Sequence, residues 1–314
     1  LLCILLVTID VHSNANAQTA PETDERSAFD LLPDSCLAVA QMQHPDRLLT
    51  TLNEHNIWKN IQKHPQYTEA IANPGYMMFL GIRAHLETQI GMKWRKAFDT
   101  ILGGGITIGF DPDTEGIVVL VRSTDAGKLL STAKTLIELG RSDARLKGNE
   151  PLPEHDYREI TIYGKKDGSF AIVGPWLVIS NKDELGRNVL DTLIDGSRTS
   201  IKDNDNFAAA QNSINGEPTI WNWVNLGTIR HAGYAEGIEN NQTANPIVEL
   251  LAGGFLTNLR QTPYVTASFY MTGEATRLVF AAPHDNAWVE EFRKYWFGPD
   301  STGAADPALE TEST

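Results

Sequence analysis

The most regular alternation of apolar and polar positions in the chain lies between Tyr157 and Gly196. Ile160 and Ile162 point to one side of an extended segment, and this period of two predicts a half-buried strand. The dipeptide Asp167-Gly168 is a strong signal for a turn. Residues 170–173 are therefore expected to form a second strand beside the first.

A third strand and a helix complete this central stretch. Gly174-Pro175 breaks the extended run before residues 176–179 continue it, and a proline there suits a bulge or a sheet edge. Asn181 is followed three residues later by Glu184, a spacing that predicts an N-cap with a capping-box partner. Gly196 fits the end of that helix. Three apolar residues share one helical face: Leu185, Val189 and Leu193.

The chain before this stretch is predicted to begin with a strand and helices and to continue with a hairpin and a further helix. The first strand and the helices fall at 37–42, 47–53, 67–72 and 76–102. The hairpin strands fall at 106–110 and 117–122. Asp125 is predicted to cap the next helix and Gly140 to end it, so residues 141–156 are expected to form a loop.

The chain after the central stretch repeats part of this order. Asn206 is predicted to cap a short helix, and a strand, a second hairpin and further helices follow. Their predicted ranges are 207–214, 219–225, 226–230, 247–259, 265–272, 276–282 and 287–297. Residues 231–245 are polar, and residues 298–314 have almost no large apolar side chain, which is typical of disorder.

These elements predict an α+β fold of curved antiparallel sheets backed by helices. A strand and helices, then a hairpin and a helix, occur at 36–140 and again at 219–297, which suggests two pseudo-repeats and a piece of a longer protein. The expected division is a signal peptide, a flexible linker, a first α+β unit, a second and incomplete α+β unit, and a disordered tail. Their ranges are 1–17, 18–28, 29–215, 216–297 and 298–314.

The N-terminus is typical of an export signal. Residues 1–9 form a short apolar run, and Ala15-Asn16-Ala17 gives a small-residue cleavage site. The run is too short to span a membrane as a helix, and without an initiator Met or a basic segment the start is expected to be either wrongly assigned or trimmed. The alternative to a signal is that the apolar run at residues 1–9 forms a buried strand or helix. The expected location is therefore the periplasm or the extracellular space, as a secreted protein without a transmembrane segment.

Two stretches resemble a family of large secreted bacterial proteins that contain a domain of unknown function. These are SFAIVGPWLVISNKDELGRNVLDTLIDG with the following NDNFAAAQ, and the earlier LLPDSCLAVAQMQHPDRLLTTL. The resemblance covers about residues 30–297 and follows hydrophobic pattern and turn placement. It implies a fold and a location in the bacterial envelope, and it assigns no site residue because no catalytic motif defines the family.

Composition and charge exclude some classes of function. The net charge of −14 argues against a protein that binds a nucleic-acid backbone, because such proteins need clustered Lys and Arg. Cys36 remains alone once Cys3 leaves with the signal, so no internal disulfide is expected. Its apolar neighbours favour a small buried side chain over a nucleophile.

Motifs with catalytic or metal-binding chemistry are incomplete. Asp111, Asp113 and Glu115 match half of a calcium loop, but Arg122 stands where the bidentate Glu is required, so a hairpin turn explains them better. Three glycines at 103–105 follow a predicted helix rather than a strand, which favours a helix end over a phosphate cradle. We therefore expect no metal and no cofactor.

An acid and a base are adjacent in Glu154-His155-Asp156. Neighbouring residues of an extended chain face opposite sides, so a solvated loop is the simpler interpretation. A glycosylation sequon at Asn241 matters only in a host that modifies secreted proteins.

Trp221 and Trp223 lie on one face of a predicted strand and are the candidate ligand-binding residues. Paired indoles can stack on a sugar or a lipid, although packing in a core or an interface is their more common role. The leading hypothesis is a non-enzymatic, exported envelope protein that binds a protein or another envelope component as a binding or scaffold module. The alternatives are a carrier that encloses an apolar ligand beside these tryptophans, and a hydrolase whose site is assembled from distant residues.

Overall fold

The structure is a computed structural model that describes residues 25–165, 167–196, 198–231, 261–283, 285 and 288. It has an α+β fold, in which an antiparallel sheet is backed by helices. The predicted signal peptide and tail, and the predicted helix at 247–259, lie outside the described residues, as does all but Trp288 of the helix predicted at 287–297.

Ten antiparallel strands form one open sheet within the described residues. They are β1 (Ala38–Met42), β2 (Ile106–Asp111), β3 (Gly116–Arg122), β4 (Glu154–Tyr157), β5 (Ile160–Lys165), β6 (Gly168–Val173), β7 (Trp176–Ser180), β8 (Ile220–Asn225), β9 (Tyr264–Met271) and β10 (Thr276–Ala281). Their order across the sheet is β10-β9-β8-β1-β2-β3-β7-β6-β5-β4.

Helices connect these strands. Those described are α1 (Pro45–Glu54), α2 (Asn56–Gln62), α3 (Pro65–Ala72), α4 (Pro74–Gln89), α5 (Trp94–Leu102), α6 (Ala126–Lys147), α7 (Asp183–Asp195), α8 (Asp205–Asn212) and α9 (Leu226–His231). Short 3₁₀ turns occur at Ala28–Asp30 and Ile201–Asp203. The five helices α1–α5 form a single long connection between β1 and β2, which are neighbours in the sheet.

One face of the sheet packs on α7, α8 and the N-terminal 3₁₀ turn and forms the main core. Val118 and Leu120 of β3 and Val178 of β7 point to this face and are almost fully buried. Leu185 of α7 lies so close to β3 that a Cβ on Gly116 would come within 2.7 Å of its side chain. A residue without a side chain is therefore required where this helix crosses the strand.

Helix α6 lies on the opposite face of the sheet. Tyr163 alternates with the core residue Ile162 along β5, so its ring points away from the main core. Glu154 is paired with Tyr163 across the strands and forms an ion pair with Arg141 of α6. The long helix thus returns the chain from β3 to the far edge of the sheet.

The third and fourth strands from the β10 edge join the two units that the sequence predicts. Strands β1 and β8 pair with each other, and Val39 faces Trp223 across that pair. On one side of the pair the order is β1-β2-β3, and on the other it is β8-β9-β10. Each side begins with a strand followed by a hairpin, which is the order expected of a duplicated unit, and on the β1 side the sheet continues with β7-β6-β5-β4. The duplication and the domain boundaries stay predictions.

The central stretch has the predicted strand, strand, strand and helix, with one difference at the proline. Val173 pairs with Trp176, so Gly174-Pro175 forms a two-residue hairpin turn rather than a bulge or an edge strand. Gly174 has φ +56, which suits the first central position of such a turn. Gly196 ends α7 in the left-handed conformation, as predicted.

Several predicted helix boundaries are wrong. Gly140 does not end α6, because it is buried inside that helix, which continues through good helix formers to Gly148 at φ +69. Residues 141–156 are therefore not a loop, since they contain the end of α6 and strand β4. The helix predicted at 76–102 is two helices, interrupted near Gly91 at φ +65.

Two predicted caps are also wrong. Asn181 does not cap α7, because its side-chain oxygen accepts a hydrogen bond from the backbone N–H of Ile117. Asn204 rather than Asn206 caps α8, and its side-chain oxygen accepts from the N–H groups of Asn206 and Phe207. Asn181 bonds across to β3 instead of capping α7, whereas at α8 the neighbouring Asn204 makes the capping bonds within the same turn.

The turn between β2 and β3 is held by Asp111, as the hairpin interpretation predicts. Its buried carboxylate accepts hydrogen bonds from the Ser35 hydroxyl at 2.6 Å and from the Thr114 hydroxyl at 2.6 Å. The Thr114 N–H donates a third at 3.1 Å. These bonds join the N-terminal segment to the hairpin.

Replacing Asp111 with Ala is expected to lower the free energy of unfolding by about 2–3 kcal/mol, because buried hydroxyl and amide donors lose their acceptor. Urea denaturation measures the change. The matched control is Asp113→Ala in the same turn, where the exposed carboxylate should change stability by less than about 0.5 kcal/mol. Equal losses in both variants, together with stabilisation of the wild type by calcium, would restore the calcium-loop interpretation.

Candidate binding surface

The predicted ligand-binding tryptophans lie in the core. Trp221 is 3% exposed and Trp223 is fully buried, and both belong to the face of β8 that packs on α8. The Phe207 ring meets Trp221 and Trp223 edge-on, with centroids 5.5 and 5.1 Å apart. Phe29 completes the group at 6.0 Å from Trp221. Burial and edge-to-face contacts are typical of core packing.

The indole N–H groups are the unusual feature of this cluster. The Nε1 atoms of Trp221 and Trp223 are buried and have no hydrogen-bond partner among the described residues. Phe207 and Phe29 occupy the space beside the rings, so a ligand could stack there only if these rings moved apart. A role for the two tryptophans in ligand binding stays a prediction.

Truncation of Trp223 to Ala is expected to lower the free energy of unfolding by about 3–5 kcal/mol, the range for a fully buried aromatic residue. Chemical denaturation measures it. Leu146→Ala in α6 serves as the control, because that side chain is 86% exposed and its loss should change stability by less than about 0.5 kcal/mol. A stable, cooperatively folding Trp223→Ala protein would argue that the indole serves binding rather than packing.

Cys36 is buried, as the sequence predicts, and only 1% of its surface is exposed. Burial raises the pKa of its thiol far above the ordinary value, and the carboxylates of Asp111 and Asp34 raise it further. The thiolate is therefore scarce at neutral pH, and a nucleophilic role is disfavoured.

A native chain that carries Cys3→Ser should show no thiol that reacts with a disulfide reagent at pH 8, since Cys36 stays protonated and covered. One thiol should react once urea is added. Rapid reaction without denaturant would show that the segment around Cys36 opens or that its thiolate is stabilised.

The acid–base triplet lies on an edge strand rather than in the predicted loop. Glu154, His155 and Asp156 are exposed on β4, and neighbouring side chains of a strand alternate between its faces. Glu154 is paired with Arg141, and Asp156 accepts a hydrogen bond from the Thr161 hydroxyl at 3.0 Å. The two carboxylates therefore act in local contacts.

The three glycines after α5 form a helix end, as predicted. Gly103 follows the last residue of α5, and a Cβ on Gly104 would come within 2.6 Å of the Arg122 carbonyl. Gly105 has φ +109, a conformation that favours glycine. Backbone packing against β3 accounts for the glycines.

The part of the chain that the structure describes contains no cluster of three His, Cys, Asp or Glu side chains suited to a metal ion. Over the same residues, no helix has the length and apolar character needed to cross a bilayer. A shallow depression of about 10 Å³, open to solvent, lies between α7 and strands β5–β7. It is smaller than the roughly 300–1,000 Å³ of ordinary ligand pockets.

Five large exposed apolar side chains lie together on α4. They are Tyr76, Met77, Met78, Phe79 and Ile82, which are between 39% and 66% exposed. We call Tyr76–Ile82 the α4 tip. No residue of α4 is buried, although its composition is more apolar than that of most helices in the chain. A contiguous exposed apolar patch is a feature of interaction sites.

The α4 tip is built on a tight connection between α3 and α4. Asn73 ends α3, and its side-chain oxygen accepts a hydrogen bond from the Gly75 N–H at 2.8 Å. The Asn73 carbonyl accepts from the N–H groups of Tyr76 and Met77. Pro74 has no N–H group, so all backbone donors of the first turn are satisfied locally.

The far end of α4 is charged and attached to the rest of the molecule. Glu87 accepts hydrogen bonds from the Trp94 N–H and the Lys93 ammonium, and these bonds lower the pKa of its carboxyl. Arg83 lies over the Trp94 ring at 6.0 Å. From α5, the Arg95 guanidinium donates to the Asp46 carbonyl of α1. The helical connection is therefore polar at its base and apolar at its tip.

The sequence predicts a helix at the α4 tip but no binding site there. One sequence signal does mark the site: the thirteen residues from Ala70 to Ile82, between Glu69 and Arg83, carry no charge. About one residue in five is charged in the chain as a whole. Only the structure shows that this uncharged run is exposed.

No family model matches the chain, and no curated protein matches it. Solved structures of TP0453 are similar in backbone trace. Its crystal form I gives a TM-score of 0.42 at 9% identity and covers 85% of this chain and 82% of that one. Crystal form III gives a TM-score of 0.41 at 8% identity, with coverage of 85% and 84%. So distant a likeness says nothing about function.

Proposed function

We propose that the chain is an exported, non-enzymatic binding module of the bacterial envelope and that the α4 tip is its binding surface. The observation that carries the proposal is the exposure of five large apolar side chains on one short helical segment. The predicted signal and the family resemblance support the envelope location. A protein or another envelope component is the expected partner, and no nucleic acid is expected.

The exposed side chains contribute little to the fold. The main core is formed by the sheet, α7, α8 and the N-terminal turn, and it contains no residue of α4. Met77, Met78 and Phe79 each leave more than half of their surface in water. Complete burial of such a side chain is worth about 1.5–3 kcal/mol, so covering the exposed half gains roughly 1 kcal/mol or more for each, and a partner that covers several gains a substantial part of a binding energy.

The alternative functions have less support in the geometry. A carrier needs an enclosed apolar pocket, whereas the depression beside α7 is small and open, and Trp221 and Trp223 are covered by other rings. A hydrolase needs a nucleophile beside a base in a cleft, whereas His155 is exposed on an edge strand.

Cosedimentation with washed bacterial envelope fragments tests the proposal. The double variant Met77→Glu/Phe79→Glu should lose most of the bound fraction, because charge replaces two of the exposed apolar contacts. The control is Leu146→Glu, which changes an even more exposed apolar residue on α6 and should bind like the wild type. Equal binding by all three proteins would contradict the proposed surface.

A further inference from the structure

We infer that the α4 tip binds the hydrocarbon region of a lipid bilayer by inserting into one leaflet. The inference rests on the proposed binding surface and names the class of partner. Exposed apolar residues alone do not distinguish a lipid from a protein groove. Three properties of the tip do so: the distribution of the side chains around the helix, the state of its backbone donors, and the distribution of charge.

The apolar side chains surround the helix. Successive residues of an α-helix are rotated by about 100°, so Tyr76, Met77, Met78 and Phe79 point in four different directions. All four are exposed. A helix that docks in a protein groove uses an apolar stripe on one face, whereas a helix that is apolar on all sides suits surroundings that cover every side. A bilayer provides such surroundings.

The backbone N–H groups at the start of α4 need no hydrogen bonds from water. In hydrocarbon every backbone N–H group must find an internal partner, and the first turn of a helix normally leaves its donors exposed. Here Asn73 accepts the N–H groups of Gly75, Tyr76 and Met77, and Pro74 has none. The usual cost of bringing a helix N-terminus into lipid is therefore largely removed.

The size and borders of the tip match a shallow insertion. Seven helical residues rise about 10 Å, which is comparable with the depth reached by interfacial helices. Arg83 follows directly, and Trp94 lies beside it at the base. A cation next to a partly exposed tryptophan is typical of the boundary between hydrocarbon and water.

The charge of the chain determines which lipids fit. The net charge is −14, and the tip itself carries none. Anionic headgroups would repel the acidic body of the protein, so insertion must be driven by apolar contact. The expected partner is thus a zwitterionic bilayer, and its binding should be insensitive to salt.

Flotation with phosphatidylcholine vesicles tests the inference with the full chain. The wild type should float with the vesicles at low and high salt, and Met77→Glu/Phe79→Glu should lower the partition coefficient at least about 100-fold. Adding anionic lipid should not strengthen binding. No flotation of the wild type, or flotation that requires anionic lipid and is lost in high salt, would overturn the inference.

A fluorescent probe at a single position tests insertion without the double variant, so altered folding of that variant does not affect the result. An environment-sensitive fluorophore is attached at Met78→Cys in a Cys3→Ser background, where buried Cys36 remains unlabelled. Its emission should shift to shorter wavelength and rise on vesicle addition, while the same probe at Leu146→Cys should not respond. A response at position 146 alone, or at both positions, would contradict insertion through the tip.

The two proposals can fail separately. If envelope fragments bind through the tip but phosphatidylcholine vesicles do not, the binding surface stands and the lipid inference fails. If neither binds, both fail.

Discussion

The packing of aromatic and aliphatic side chains on one face of the sheet is the interaction on which the rest of the structure depends. Phe207 is fully buried and contacts both tryptophans of β8, while Phe29 brings the N-terminal turn into the same cluster. The cluster lies beside the β1–β8 pair that joins the two sides of the sheet. The packing that stabilises the fold therefore does not involve the α3–α4 connection.

This division allows α4 to be apolar and exposed at once. Helix α5 is attached to α1 through Arg95 and to β3 through the glycine segment, so the connection has a fixed base. Helix α4 contributes no buried side chain. We propose that a partner covers its apolar residues, and a helix start whose donors are satisfied locally suits a partner that offers no hydrogen bonds.

The sequence predicted the fold class and most strands because their signals are local. Alternation in β5–β7 and the turn glycines are visible in short windows. Helix ends were harder to predict: Gly140 looks like a stop, but it is buried inside α6. The two wrong caps have different causes: Asn181 bonds to Ile117, 64 residues away, which no short window contains, whereas Asn204 and Asn206 compete for the same helix start.

The candidate binding site was also hard to predict, because its exposure depends on tertiary structure. Two tryptophans on a strand are conspicuous in a sequence, yet the structure buries them. The run from Ala70 to Ile82 is ordinary for a core helix, and its importance comes from exposure, which depends on where every other element packs. Composition indicates that a segment avoids charge, but only the tertiary structure shows whether it avoids water.

Hydrogen exchange along the whole chain, with and without phosphatidylcholine vesicles, tests the central claim most directly. The account predicts that protection increases in residues 70–82 and stays unchanged in β8 and α8. Increased protection around Trp221 and Trp223 with an unchanged α4 would contradict it and would move the binding site to the core cluster.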